Sequence, residues 1–343
     1  MHNKNLPDFV SFLLQPAAYA PQPSAVKLVQ THISYVFITD DLVFKFKKPV
    51  DFGFLDFTTI DKRRHFCQQE LVLNRRLCPS IYLDLVALTK TDDTFNLTRP
   101  GQQGDMEHVV EYGIKMKRMP EEQMMVNVIK SGRLAPEMID AICDVLVPFY
   151  SRAEGGPEIR KFGSPEAISV NIFENFSQTE AFIDSPSLSK SQFERIKKFS
   201  TAFLEKNELF AARISAGRIR DCHGDLYSAN ICLADQVYIF DCIEFNERFR
   251  YCDVASDIAF LAMDLDYHGL SGLSERFVEQ FIKLSGDTGL HTMLDFYKCY
   301  RAYVRGKINL FTVHAEEVDA ATKSHCQKMA GKYFQLAERY ASP

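Results

Sequence analysis

The pattern of apolar residues changes character once along this chain, and that change limits the folds open to it. Residues 26–48, "IYLDLVAL" and "HVVEYGIKM" read as strands, with "SYVFIT" and "LVFKFK" flanking Asp40-Asp41 as a hairpin. Residues 61–77 read as one helix. Beyond Pro120, "PEEQMMVNVIKSG", "APEMIDAICDVLVPFYSRA" and "SQFERIKKFSTAFLEKNELFAARI" are helical; the first two carry Pro or acidic residues at their starts. A short hairpin over residues 231–241 and a helical stretch follow. The expectation is an α+β chain in two lobes. A β-rich N-terminal lobe with one main helix covers residues 1–119. A mostly helical C-terminal lobe covers residues 120–343, with a hinge near Lys117–Pro120.

Composition narrows the function. A net charge of −5 and a pI near 6.0 argue against a basic nucleic-acid-binding surface. No apolar run reaches the ~18 residues of a membrane span. The apolar stretch Phe9 to Leu14 is shorter than the ~7–15 residues of a secretory leader. It reads instead as a first helix started by Pro7-Asp8. Nine cysteines without CxxC spacing fit reduced thiols in the cytoplasm. Cys222, Cys232, Cys242 and Cys252 fall ten residues apart, but no His pairs with them at zinc spacing, so they read as buried small hydrophobes.

The stretch "HGDLYSAN", residues 223–230, precedes "ICLADQVYIFD". A loop centred on Asp235-Gln236 brings Asn230 opposite Asp241, with Asp225 just upstream. An amide oxygen and a carboxylate, with a second carboxylate nearby, suit Mg²⁺, which takes hard oxygen ligands and borrows others from phosphates. The spacing D-x-x-x-x-N is also that of a kinase catalytic loop, in which the Asp orients the substrate hydroxyl. Asp225 is then the candidate base, and Asn230 and Asp241 are the candidate metal ligands. The alternative is that Asp225 and Asn230 only cap a turn. The His-Gly lead-in and the run Asp241-Cys242-Ile243-Glu244 weigh against it.

A phosphate site of this kind needs a lysine and a partner acid from the first lobe. "LVFK", residues 42–45, has the right type of strand. Alternation puts Val43 and Lys45 on one face and Phe44 and Phe46 on the other. Lys45 is the candidate phosphate lysine and Val43 would cover the base; Lys47, on the same face, is the runner-up. In "KRRHFCQQELVLNRRL" Glu70 falls near the stripe of Phe66, Leu73 and Leu77, where an unpaired carboxylate is costly. Lys45 is its expected partner. No G-x-G-x-x-G lies between the first strands and no P-loop motif occurs anywhere. Phosphate contacts would come from "THIS" (31–34) and the Thr39–Asp41 turn.

"HGDLYSANI" with "IFDCIE" resembles the signature of the aminoglycoside phosphotransferase and choline-kinase-like family, which has the two-lobed protein-kinase-like fold. "LVFKFKKPVDFGFLDF", "CQQELVLNRRL" and "FYKCYRAYVRGKI" are similar to a bacterial aminoglycoside-phosphotransferase-like branch often fused to a P-loop ATPase domain. The resemblance spans about residues 7–335. It implies ATP, Mg²⁺ and transfer of a phosphoryl group to a hydroxyl. It makes Asp225 the catalytic Asp, Asn230 and Asp241 the metal ligands, and Lys45 and Glu70 the ion pair. Asp253 and Asp257 match structural acids, and Tyr227 stands where many relatives have His. Backbone near Lys117–Met119 would meet adenine. A separate P-loop ATPase partner is also implied. No nucleic-acid or membrane partner is expected.

The acids Glu244, Glu247, Asp253, Asp257, Asp264 and Asp266 would favour a cationic acceptor unless they pair internally with Arg301 and Arg305, the favoured reading. The leading expectation is a small-molecule kinase. Its rivals are a protein kinase, a non-catalytic ATP-binding module and, more distantly, a metal hydrolase.

Overall fold

The computed structural model describes residues 6–99, 108–315 and 318–342. The chain divides into two compact units, Met1–Met124 with Cys232–Glu247, and Met125–Ile231 with Arg248–Pro343. The short hairpin from Cys232 onward and the run that follows it to Glu247 thus group with the N-terminal part of the chain.

The first unit is built on a six-stranded antiparallel sheet. Its strands are β1 (Lys27–Gln30), β2 (Ser34–Ile38), β3 (Leu42–Lys47), β4 (Tyr82–Thr91), β5 (Thr94–Thr98) and β6 (Val109–Lys117), in the order β1-β2-β3-β6-β4-β5. The expected β2–β3 hairpin is present, with Ile38 opposite Val43 and Val36 opposite Lys45. Helix α1 (Asp8–Leu13) starts after Pro7, as the sequence suggests. Helix α2 (Ile60–Asn74) is capped by the Thr59 hydroxyl, which accepts from the Lys62 N–H.

Strand alternation sorts β3 onto two faces. Phe44 and Phe46 enter a core with Val10, Leu13, Tyr19, Phe37, Val86 and Leu88. Burial of a phenylalanine such as Phe46 is worth about 1.5–3 kcal/mol. Lys45 lies opposite Ile114, whose side chain joins Cys67 and Leu71 of α2, Tyr82, Leu85 and the hairpin residues Cys232 and Tyr238 in a second core. That hairpin pairs Ile231–Leu233 with Val237–Ile239. Strand β6 crosses β3 closely at Gly113, where a Cβ would stand 2.7 Å from the Phe46 ring and 2.9 Å from the Lys45 carbonyl. Only glycine permits that approach, which sets the register beside Lys45.

The second unit is mostly helical, and the chain is α+β as its patterning led one to expect. Helix Val254–Tyr267 is apolar on nearly every side, and all its residues except Asp266 are buried. A helix of that kind belongs at the centre of a core. It starts at Asp253, whose side chain accepts from the Ala255 N–H at 2.9 Å. Helices Pro136–Arg152, Ser271–Ser285, Leu290–His314 and Ala320–Tyr340 belong to the same unit. Among the described residues no helix is long and apolar enough to cross a membrane.

Candidate active site

In the first unit, β3 presents two lysines to one carboxylate of α2. Lys45 Nζ donates to Glu70 Oε1 at 2.8 Å and to Asp241 Oδ1 at 2.6 Å. Lys47 Nζ donates to Glu70 Oε2 at 2.7 Å and also to Glu244 Oε1. Glu70 and Lys47 are fully buried, whereas the Asp241 side chain is 44% exposed. Burial alone would push the Glu70 carboxyl up, but the two ammonium groups outweigh it and hold it below its ordinary value. Burial likewise opposes the charge on Lys45, and Asp241 and Glu70 together keep that amine well above its ordinary value. For Glu244 burial wins over Lys47, and its carboxyl is raised.

Backbone ties hold the acids in place. Asn74, one turn beyond Glu70, donates to the Glu70 carbonyl at 2.8 Å and accepts from the Cys242 N–H at 2.9 Å. The Asp241 N–H donates to the Tyr82 hydroxyl at 3.3 Å. Asp241 has φ of 63°, a left-handed conformation that costs a non-glycine residue free energy and recurs where chemistry demands a particular side chain.

In the second unit, "HGDLYSAN" forms a loop that ends in a short turn, Ser228–Asn230. Asn230 Nδ2 donates to the Asp225 carbonyl at 2.9 Å and to Asp225 Oδ2 at 3.0 Å. One amide therefore fixes both the backbone and the carboxylate of Asp225. Asp257, fully buried, accepts the His223 N–H at 2.7 Å, the Gly224 N–H at 3.0 Å and the Tyr150 hydroxyl at 3.0 Å. Gly224 has φ of 88°, and its carbonyl accepts from Arg301 Nη1 at 2.9 Å. Asp264 accepts the Ser228 N–H at 3.0 Å. The Tyr227 ring stacks on Phe260 at 5.6 Å, with the Arg305 guanidinium carbon 4.5 Å from the ring centre.

Several expectations change in detail. Lys45 and Lys47 share one acid, Glu70. Of the acids expected to pair with Arg301 and Arg305, Asp257 lies 3.5 Å from Arg301. Glu244 takes Lys47, Asp253 takes Arg213 at 2.7 Å and Asp266 takes Lys298 at 2.9 Å. The helical spacing of the two arginines was visible, but which acids reach them depends on tertiary placement. At the hinge, the Lys117 N–H is donated to the Ile81 carbonyl at 2.9 Å and the Arg118 N–H to the Asp41 carbonyl at 2.8 Å. Val43 lies opposite Met116 on the Lys45 face, and Met119 packs partly into the same core. Glu244 and Lys47 are the members the sequence reading placed elsewhere or ranked second.

This arrangement sits on the protein-kinase-like fold. Amicoumacin kinase hAmiN, solved with AMP-PNP, Ca²⁺ and Ami, superposes with a TM-score of 0.53 at 12% identity, over 98% of this chain and 96% of that one. At that identity the likeness is one of fold. No family model matches the chain. In sequence the chain is 33% identical over 294 residues to the uncharacterized protein Rv2004c of Mycobacterium tuberculosis and equally to Mb2027c of Mycobacterium bovis. The match covers 85% of this chain and 56% of those proteins, so the chain spans about half the length of the curated relatives it matches.

Proposed function

We propose that the chain is an ATP- and Mg²⁺-dependent kinase that transfers the γ-phosphoryl group of ATP to a hydroxyl of a small molecule. The observation that carries this reading is the Lys45–Glu70 pair at 2.8 Å, set on β3 and α2 with Asp241 on the same ammonium group. Phosphoryl transfer asks for positioning and charge neutralisation. In this reading Lys45, oriented by Glu70, holds the ATP phosphates. Val43 covers the adenine. Because the amides of Lys117 and Arg118 are already donated, Met119 and the Lys117 carbonyl are left as the hinge contacts. Asp225, fixed by Asn230, aligns the acceptor hydroxyl and receives its proton.

The donor chemistry of the two candidate ligands, each taken within its own unit, suits Mg²⁺. Asp241 offers an accessible carboxylate, and Asn230, having given its Nδ2 to Asp225, keeps its amide oxygen for a cation. Among the described residues no cluster of three or more His, Cys, Asp or Glu could hold a metal. Mg²⁺ itself commonly takes one or two protein oxygens and the rest from phosphates and water. When bound, Mg²⁺ would neutralise charge on the phosphates.

The same machinery would serve a polypeptide hydroxyl, and a module that only binds ATP would keep the lysine without turnover. A screen of small-molecule and protein acceptors with labelled ATP decides among the three. Asp241→Ala is expected to abolish Mg²⁺-dependent nucleotide binding. Asp225→Asn is expected to leave that binding within about twofold and lower turnover by at least about a hundredfold. Unchanged Mg·ATP affinity in Asp241→Ala sinks the reading. A cytoplasmic location and a P-loop ATPase partner, both implied by the sequence, belong to the same proposal; co-purification with such a protein tests the second.

A further inference from the structure

The kinase reading needs one lysine on Glu70, and the structure supplies two. We propose that Lys47 and Glu244 form a second, buried ion pair whose role is to position Glu70 and restrain its hold on Lys45, so that Lys45 stays available to phosphate. The proposal rests on the reading of Lys45 as the phosphate lysine.

Three observations converge on it. First, the two oxygens of Glu70 are divided: Oε1 receives Lys45 and Oε2 receives Lys47. A carboxylate held at both oxygens has a fixed plane. A single-lysine arrangement leaves it free to rotate and chelate Lys45 with both. Second, Lys47 itself is shared, since it also donates to Glu244. Five charged groups thus form one cluster, two ammonium groups against three carboxylates, with net charge −1. Without Lys47 the cluster would carry −2, all of it acting on Lys45. Without both Lys47 and Glu244 it returns to −1.

Third, the surrounding chain is arranged to keep this pair dry. Lys47 Nζ lies 4.8 Å from the centre of the Phe57 ring, and Phe57 and Glu244's neighbour Phe245 meet edge to face at 6.5 Å. Asn246 Nδ2 donates to the Phe54 carbonyl at 2.9 Å. The runs "VDFGFLDF" and "CIEFN", which the nucleotide site does not otherwise use, therefore close over Lys47 from two parts of the first unit. In such surroundings a lone ammonium or carboxylate is costly, and the pair acts strongly on its neighbours. Lys47 and Glu244 are positioning residues; neither is assigned a contact with substrate.

The test uses the full-length chain and the variants Lys47→Met, Lys47→Arg and Lys47→Met/Glu244→Gln. Steady-state kinetics with Mg·ATP should show KM raised about tenfold in Lys47→Met, with kcat within about threefold. Lys47→Arg, which can still serve both acids, and the double variant, which restores the net charge, should return KM to within about threefold of the parent. Loss of stability in all three with KM unmoved overturns the proposal, since that is the mark of a purely structural pair. A crystal structure of Lys47→Met gives a second readout that needs no turnover. The Glu70 carboxylate is expected to rotate so that Oε2 also approaches Lys45; an unmoved Glu70 overturns the proposal and leaves the kinase reading standing. A parent chain that binds no Mg·ATP sinks the kinase reading, while the Glu70 geometry still decides whether Lys47 positions it.

Discussion

Replacing Glu70 by glutamine tests the centre of the first unit most directly. The side chain is fully buried and accepts from two ammonium groups, at 2.8 and 2.7 Å. At an effective dielectric constant of about 20, each contact carries a gross attraction of about 6 kcal/mol. Much of this is returned on mutation, because a buried carboxylate no longer has to be desolvated and its repulsion with Asp241 and Glu244 is relieved. Removing one partner of a buried pair costs about 3–5 kcal/mol. Here each lysine keeps another carboxylate, Asp241 for Lys45 and Glu244 for Lys47, which places the expected loss near the lower end, about 3 kcal/mol. Urea denaturation followed by circular dichroism measures it. The sign with pH is fixed as well. Glu70 is held below its ordinary 4.5, so its contribution is present above that value and disappears as pH falls through its folded pKa. The difference between parent and Glu70→Gln should therefore be largest near neutrality and shrink below about pH 4. A loss under about 1 kcal/mol at pH 7, or one that does not change in acid, would refute the reasoning.

Other outcomes follow from the second unit. Asp257→Ala removes the acceptor of two backbone N–H groups and the Tyr150 hydroxyl. It should cost about 3 kcal/mol or more and raise hydrogen exchange selectively over residues 223–230; uniform protection there would count against a supporting role for Asp257. Lys307 is lowered from 10.5 to about 8 because burial disfavours its charge, despite the bond to Gln178 Oε1 at 2.7 Å. The buried charge is a penalty present in full below about pH 8 and relieved as pH rises toward 10.5. Lys307→Met should accordingly be more stable than the parent at pH 7, with the gap narrowing by pH 10; equal stability at both pH values would show that the amine is not desolvated.

Much of this was legible in the sequence because strand and helix periods act over short distances. Alternation along "LVFKFK" placed Lys45 and Lys47 on the face opposite Phe44 and Phe46, and the sheet keeps that division. The link from Asn230 to Asp225 spans five residues and needs only a turn. Helix α2 was harder. Its buried residues are Arg63, Cys67, Glu70, Leu71, Leu73 and Asn74, so polar groups share the inward face with apolar ones and a stripe of Phe66, Leu73 and Leu77 shows only part of it. Each of those polar groups has a partner far along the chain: Arg63 pairs with Glu111 at 2.8 Å, and Asn74 meets Cys242. Strand β5 is polar and short, and its pairing with β4 comes from the neighbouring strand more than from its own pattern.

The two lysines show where such reading stops. In the sequence Lys45 ranks ahead of Lys47 as the phosphate lysine, and the choice between them turns on what covers the nucleotide base. Tertiary structure gives Glu70 to both and adds a third carboxylate from a segment almost two hundred residues away. No local pattern encodes that contact, because Glu244 follows a hairpin whose own sequence is satisfied without it. The reason the arrangement persists must then be sought in charge balance: a fully buried ammonium group one strand repeat from Lys45 would repel it unless a carboxylate were shared between them and another supplied. Glu70 and Glu244 meet those two requirements, so both lysines of the strand can keep their charge while buried.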